Sequence, residues 1–550
     1  MDKPKKSYFI PVIAAVAIVI GILIGTFYAN QFSTDRRGII NMSSNNKLNA
    51  LLRIVEDQYV DTVKINELIE EAMPQILGEL DPHSAYIPAK DLEAVNDDLA
   101  ASFSGIGVQF TIHDDSIHIN NVIHGGPSEK VGLMAGDRIV AVDDSAFVGK
   151  SVNNVSVQRK LKGPKGSTVK LGVYRPGEKE LLTFTVVRGD IPVKSINASY
   201  MIKNKYGYIK VDKFAENTYH ELLIALAQLN QQRCEGIIID LRENTGGFMG
   251  AAIQMVNEFL PKDRLIVYTE GRKSPRKDYL SNGTGSNQEM PLVVLIDEGS
   301  ASASEIFSGA IQDNDRGTII GRRSFGKGLV QQPIEFSDGS AIRLTIARYY
   351  TPSGRCIQKH YSNGKDQEYE MDIYNRYEHG EFFSQDSIKQ DQSTVYYTSL
   401  GRPVYGGGGI MPDYFIPVDT TGMTSYFQMA RNRGLTIQFS FNYTDKYRTS
   451  LQQFTEWRPL LKYLKSQNVI EQFVRFAEGK GLKRRNIMIA KSRELLELNL
   501  YGNIIYNMLD MQSYIEYLNE SDKPVLKAIE ILDKKQAFPK APEQAISNEK

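Results

Sequence analysis

DEGSASASEIFSGAIQDNDRGTIIGRRSFGKGLVQ, residues 297–331, is the stretch from which the rest of this chain can be read outward. Just before it, residues 291–296 (PLVVLI) form a short, continuously apolar run, the pattern of a strand buried on both faces. A turn is expected over 297–299. Beyond it, Ser300 to Ser304 lead into Glu305, Ile306, Phe307, Ala310 and Ile311, whose spacing predicts a helix with polar residues at its start. Strand, sharp turn and helix lift a hydroxyl to the top of a sheet and aim helix-end amides at whatever lies above it. A serine there is inert until a base takes its proton. None of the histidines, His83, His113, His118, His124, His220, His360 and His379, lies in the stretch. It holds Lys327 instead, in the SFGKG loop (324–328) between strand-like residues 318–321 and 329–336. Gly326 and Gly328 permit close backbone approach, and Phe325 and Leu329 supply apolar neighbours, conditions that lower an amine's pKa. Neutrality near pH 7, starting from about 10.4, asks for about 4 kcal/mol against the charged form, which desolvation can supply. The same residues also fit a plain capping turn and an ordinary surface loop.

GSASASEIFSGAIQD followed by FGKGLVQ resembles the carboxy-terminal processing (tail-specific) proteases, serine peptidases with a Ser-Lys dyad. The resemblance implies that Ser302, the middle serine of SASAS, is the nucleophile, that Lys327 is its base and that Gln331 orients the lysine amine. On a strand, residues an even number apart face the same way, so Lys327 and Gln331 can both point at Ser302. Residues 240–247 (DLRENTGG) resemble a segment of the same proteases. Paired glycines after a strand let the backbone approach a carbonyl closely. The family pattern implies an oxyanion hole from Ala303 with Gly246 or Gly247, the choice between the two glycines being open.

Composition sets bounds. The chain has 550 residues, 41% hydrophobic and 24% charged, with 65 Lys+Arg against 65 Asp+Glu, so nothing in the overall charge argues for nucleic acid as a partner. Two cysteines, Cys234 and Cys356, are too few for a disulfide framework, and Cys234 reads as a packed thiol. No His/Cys/carboxylate cluster has ligand spacing, so no metal or cofactor is expected. Residues 8–29 carry no charge and follow Lys3, Lys5 and Lys6. That is long enough to span a bilayer, and the lysines hold residues 1–7 in the cytoplasm. An uncleaved single-pass anchor in the inner membrane, with the bulk of the chain in the periplasm, is expected rather than a cleaved signal peptide.

After the anchor, residues 30–100 read as a helical region, with apolar residues at helical spacing in 48–80. DPHSAYIPAKD (81–91) again resembles the processing proteases; His83, beside Pro82, reads as a turn residue outside the site. Residues 101–190 look like a PDZ domain. Gly105, Ile106, Gly107 and Val108 resemble its carboxylate-binding loop, which presents backbone N–H groups to a peptide C-terminus while an edge strand pairs with the incoming chain. Its implied ligands are protein or peptide substrates with free C-termini. Movement of this domain against the core, gating the site, follows as an expectation from its position in the chain.

Residues 191–418 alternate strand and helix, an α/β core, and residues 351–355 (TPSGR) and 408–413 (GGIMPD) also match the family. Between them, 360–403 is rich in Tyr, Asp, Glu, Gln and Ser and reads as an insertion, a surface excursion or lid. Residues 419–550 are helical in pattern, available for a homodimer contact or an adaptor. The fold class expected is α/β (α+β) multidomain: a mixed-sheet peptidase core, an inserted PDZ domain, an N-terminal transmembrane helix and a C-terminal helical region. The implied function is a serine endopeptidase of the cell envelope that captures C-terminal tails. A PDZ scaffold that binds tails without cutting them, or a hydrolase using a distant histidine, are the alternatives.

Overall fold

The apolar run ahead of the Ser/Ala turn folds as the strand Leu292–Ile296, buried at every position. Ile237–Asp240 and Thr318–Gly321 flank it in parallel. Tyr206–Val211 and Tyr414–Phe415 extend the parallel set, and Ile196–Ile202 closes one edge antiparallel, giving six strands. Parallel strands covered on both faces read as unbroken apolar runs, which is why IIID and LVVLI show no alternation. On one face Ile237, Ile239, Val294 and Ile296 pack under the helices Thr218–Gln231, Met249–Asn257 and Ala303–Asp313. On the other, Ile238, Val293, Leu295 and Ile320 meet Val525, Ala528, Ile529 and Leu532. Those last residues belong to the helix Lys523–Asp533, so the end of the expected C-terminal region is the second layer of the central sheet.

That helix is also tied electrostatically. Arg242, just past Ile237–Asp240, donates from Nη1 to both carboxylate oxygens of Asp522 at 3.0 and 2.9 Å, and Asp522 caps the helix by accepting from Val525 N at 3.0 Å. Asp522→Ala removes the cap and leaves a partly buried guanidinium short of one partner. We expect a loss of about 1–3 kcal/mol, read as a lower urea midpoint with an unchanged slope.

The structure, a computed structural model, describes residues 18–21, 47–97, 100, 102–113, 115–150, 152–389 and 392–542. The chain divides into two units, residues 1–73 and 74–550. The anchor expected over 8–29 lies outside the described residues apart from 18–21, which are helical. Among the described residues no helix is long and apolar enough to cross a membrane. In the first unit the helix Lys47–Gln58 buries none of its residues. A second helix, Ile65–Gly78, runs through the division.

In the larger unit a second sheet is antiparallel throughout: Ala85–Ile87, Ala341–Tyr350, Leu265–Glu270 and Lys277–Leu280 in order, with Leu329–Glu335 also on Ala341–Tyr350. The inserted domain has the strand order Val108–His113, Ser116–Val122, Arg138–Val142, Thr168–Tyr174, Leu182–Val187 around a core of Ile117, Ile119, Ile139, Leu171 and Val173. Ser102–Gly105 pairs with Gly189–Pro192 where the chain enters and leaves it. This domain rests on the C-terminal helix Leu435–Leu451: Arg138 pairs with Asp445 at 2.5 Å, and the His118 and Phe441 rings meet edge-on at 4.6 Å. Cys234 and Cys356 are both free thiols.

Candidate active site

The three alternate serines of residues 300–304 have different fates. Ser300 Oγ donates to Leu241 O at 2.8 Å and Ser304 Oγ to Asn244 O at 2.8 Å; both are fully buried, spent on stitching the helix start to the turn after Ile237–Asp240. Ser302 is half-buried, its Oγ faces the Glu305 amide in a capping-box arrangement but donates to no group among the described residues, and its backbone sits at φ +55°, ψ −111°. Positive φ on a non-glycine residue is strained and persists only where the surroundings impose it. Here they do: Ala301 N donates to Asn244 O at 3.0 Å, and Ser302 N to Glu305 Oε2 at 2.9 Å.

Glu305 joins the serine turn to the lysine loop. Its Oε2 also accepts from Lys327 N at 2.8 Å, while Oε1 accepts from Gly326 N at 2.7 Å and Ser324 Oγ at 2.5 Å. Complete burial pushes its carboxyl up to about 7 against the pull of these four donors. Tyr349, also buried, donates to the carbonyls of both Ser302 and Lys327. The Lys327 amine donates to Gln331 Oε1 at 3.2 Å. Burial lowers its pKa; the Arg343 charge adds to the effect, and Glu305 and Asp81 oppose it. Among the described residues no hydrogen bond joins Ser302 Oγ to Lys327 Nζ.

Lys327 and Gln331 do not share one regular strand, contrary to the expected alternation. Lys327 precedes the strand Leu329–Glu335, and the register shifts between Val330 and Gln331. Gly326 at φ +90° and its amide's bond to the Glu305 carboxylate shape the loop from which the amine reaches Gln331.

The glycine turn separates its two candidates. Gly246 N is consumed by Asn244 Oδ1 at 2.9 Å, whereas the Gly247 and Ala303 amides donate to nothing among the described residues. Gly246 sits at φ +104° against the serine: a Cβ there would lie 2.8 Å from Ser302 Cβ and 2.9 Å from Ala303 N. A cleft of about 450 Å³ is lined by the apolar Met249, Val330, Ile346 and Ala347 together with polar residues that include Thr269, Arg276 and Lys277. Among the described residues no group of His, Cys, Asp and Glu could hold a metal.

Residues 205–370 match the profile described as Peptidase family S41, residues 104–186 that of the PDZ domain and residues 426–510 that of a family of unknown function, DUF8443. Over 351 residues the chain is 35% identical to the carboxy-terminal-processing protease of Bartonella bacilliformis, covering 62% of this chain and 80% of that one. The chain belongs to the carboxy-terminal processing serine proteases of peptidase family S41. It is also 34% identical over 316 residues to the carboxy-terminal processing protease CtpB of Bacillus subtilis, covering 57% of this chain and 65%, just under two thirds, of that relative. A solved photosystem II D1 C-terminal processing protease is 28% identical, covering 57% of this chain and 90% of that one, with a TM-score of 0.32.

In this processing protease His83 is closer to Lys327 and Gln331 than its turn-like sequence suggests. Its carbonyl accepts from Gln331 Nε2, and its ring Nε2 shares a 2.9 Å hydrogen bond with Tyr369 OH. Burial first, then the Lys327 charge, lowers its pKa to about 4, so the imidazole is neutral. Asp81 fixes the turn, accepting from His83 N at 2.9 Å, Ser84 N at 3.0 Å and Thr345 Oγ1 at 3.0 Å. The sequence signal was present: Asp followed two and three residues on by amides that it caps.

The insertion is likewise more than a surface excursion or lid. Arg376 donates to the carbonyls of Arg323 and Ser324 at 2.7 and 3.1 Å, and Glu381 pairs with both Arg323 and Arg376. Buried guanidinium and carboxylate groups here are fully paired, as burial requires, and they brace the loop that carries Lys327. In the PDZ domain, Gly107 is at φ +77°, and the Ile106 and Gly107 amides donate to nothing among the described residues. Val108–His113, which follows, is an edge strand.

Proposed function

We propose that this protease cleaves peptide bonds through Ser302 and Lys327, near C-terminal tails received by its PDZ domain. The observation that carries the reading is that Ser302, alone of the three alternate serines, donates its hydroxyl proton to nothing among the described residues and sits on an elbow tied through Glu305 to a half-buried lysine whose amine is hydrogen-bonded to the neutral Gln331. Catalytic hydrogen bonds are commonly long in the substrate-free state, and the Ser-Lys contact closes in the substrate complex. Neutral Lys327 takes the hydroxyl proton as Ser302 Oγ bonds to the scissile carbonyl carbon. The oxyanion formed is held by the Gly247 and Ala303 amides. Lys327, now an ammonium, returns the proton to the departing amine nitrogen as the peptide C–N bond breaks, leaving an ester on Ser302. Water, deprotonated by the same amine, hydrolyses that ester.

The open Ile106 and Gly107 amides beside an edge strand suit a terminal carboxylate and an added strand. The uncharged residues 8–29 behind Lys3, Lys5 and Lys6 support a single-pass inner-membrane anchor with the catalytic part in the periplasm.

The test is covalent labelling of the detergent-solubilised full chain with an alkyl fluorophosphonate, which forms an Oγ–P bond with loss of fluoride only at an activated serine. The expected result is a single adduct on the peptide containing Ser302, absent in Ser302→Ala, together with cleavage of an unfolded substrate. Binding of a C-terminal peptide without label or cleavage would leave a tail-binding scaffold instead.

A further inference from the structure

Tyr369 lies on the short helix Asp366–Glu370 inside the insertion and is 5% exposed. Its hydroxyl meets His83 Nε2 at 2.9 Å and accepts from Gln358 Nε2 at 3.3 Å. The two ends of Gln358 and His83 lead to the same place. Gln358 Oε1 accepts from Gly328 N at 2.8 Å, one residue after Lys327. The His83 carbonyl accepts from Gln331 Nε2, and Gln331 Oε1 accepts from the Lys327 amine at 3.2 Å. One phenol therefore starts two linked sets of hydrogen bonds, one ending on the Lys327 side chain and one on the amide of the next residue, Gly328. The ring is held in place by edge contacts to His83 at 5.1 Å and to Phe325 at 5.9 Å, and by the Lys359 amine 4.0 Å above it.

We infer that Tyr369 is a positioning residue for Lys327, acting through His83 and Gln358, and that this is what the insertion contributes to the reaction. The inference rests on the reading of Lys327 as the base. A neutral amine requires dry surroundings, and the charges facing it are few: Arg343 from the neighbouring strand, Glu305 from the helix Ala303–Asp313, and Asp81 from the turn that also carries His83. His83 in turn faces Lys327, Asp81 and Lys359, while Tyr369 faces Glu305, Asp372 and Tyr361. None of these moves if the phenol oxygen alone is removed. What changes is the anchoring of His83 and Gln358, and with it the exclusion of water from the amine. A wetter amine is more easily protonated, so the acidic limb of the rate profile should move to higher pH.

The experiment compares Tyr369→Phe and His83→Phe with the wild-type full chain, each normalised by fluorophosphonate titration of Ser302. For Tyr369→Phe we expect kcat at pH 7 to fall roughly 10-fold with KM changed less than about 2-fold, and the acidic limb of kcat/KM to rise by about half a pH unit or more. His83→Phe keeps a ring and the carbonyl but loses the hydrogen bond, and should give a similar shift. The double variant should then lose less than the product of the two single losses, since both break one chain. A Tyr369→Phe enzyme with the wild-type limb, whether its rate is unchanged or falls only in step with a lower Tm, would overturn the inference. So would strictly multiplicative losses. Lys327→Met separates the two levels: if it abolishes turnover while Tyr369→Phe leaves the profile unmoved, only the role of Tyr369 falls, whereas turnover that survives Lys327→Met removes the dyad and this inference together.

Discussion

Lys327→Met is expected to lower kcat/KM by about 10³-fold or more while leaving the fold intact. A positioned base contributes about 10²–10⁴ to such a reaction, and in a dyad the nucleophile loses its activation with it. Methionine keeps the unbranched apolar stem of lysine and lacks only its terminal amine, so little space opens beside Leu329, which is 4% exposed. Lys327→Arg should fare no better, because a guanidinium stays charged at any working pH and cannot accept the hydroxyl proton. The wild-type profile has a definite sign. The amine works only when unprotonated, and burial holds its pKa below 10.5, so kcat/KM rises with pH through a limb below that value. The linkage runs the same way: a lysine with a depressed pKa gives up its proton on folding, so its contribution to stability falls as pH drops through the window under 10.5. Lys327→Met abolishes that contribution, and thermal melts of the variant should match or exceed the wild type below the window. A variant that retains turnover, with its limb in place, would assign the base to another group.

The strand, turn and helix around Ser302 were legible because each is set by local pattern: an apolar run, Gly299, and polar residues ahead of an apolar helix face. Which serine stays open came from the family resemblance and not from local pattern, since residues 300, 302 and 304 look alike until Leu241 and Asn244 are brought against two of them. Likewise the choice between Gly246 and Gly247 depends on the Asn244 side chain, which takes the first amide. Lys327 was read from its glycine-flanked loop and Gln331 from the family resemblance; alternation along a strand, given in support, does not hold, because Lys327 precedes the strand and the register shifts before Gln331. The helix Lys523–Asp533 advertised an apolar face, but no local pattern says that the face covers Val293 and Leu295 more than two hundred residues earlier. The insertion was hardest. Tyr369 and Arg376 sit in polar, aromatic-rich sequence that reads as surface, and their burial follows from partners at 81–84 and 323–324 that only the fold supplies.

Glu305 was legible only as a helix-start residue, and its replacement carries the second large expectation. Its two oxygens accept four donors, Ser302 N and Lys327 N at one, Gly326 N and Ser324 Oγ at the other. In Glu305→Gln one oxygen becomes an NH₂ group. Turned toward Ser302 and Lys327 it strands two buried amides; turned the other way it strands Gly326 N. Each stranded donor costs about 1–3 kcal/mol, so a loss of roughly 2–4 kcal/mol is expected in urea unfolding. Activity should fall by about 10²-fold or more, because the backbones of Ser302 and Lys327, the proposed nucleophile and base, hang from the same oxygen, and a misplacement of about 1 Å is enough for such a loss. The pH dependence distinguishes this from a generic packing defect. The wild-type carboxyl titrates near 7 in the folded chain, above its unfolded value of 4.5, so the stability it contributes is complete below 4.5 and is lost as pH rises through about 7. Glutamine does not titrate, so the stability gap between wild type and Glu305→Gln should narrow between those two pH values. A gap that is constant with pH, or a variant of wild-type rate and stability, would mean that the serine elbow and the lysine loop are held together by Tyr349 and the surrounding packing rather than by this carboxylate.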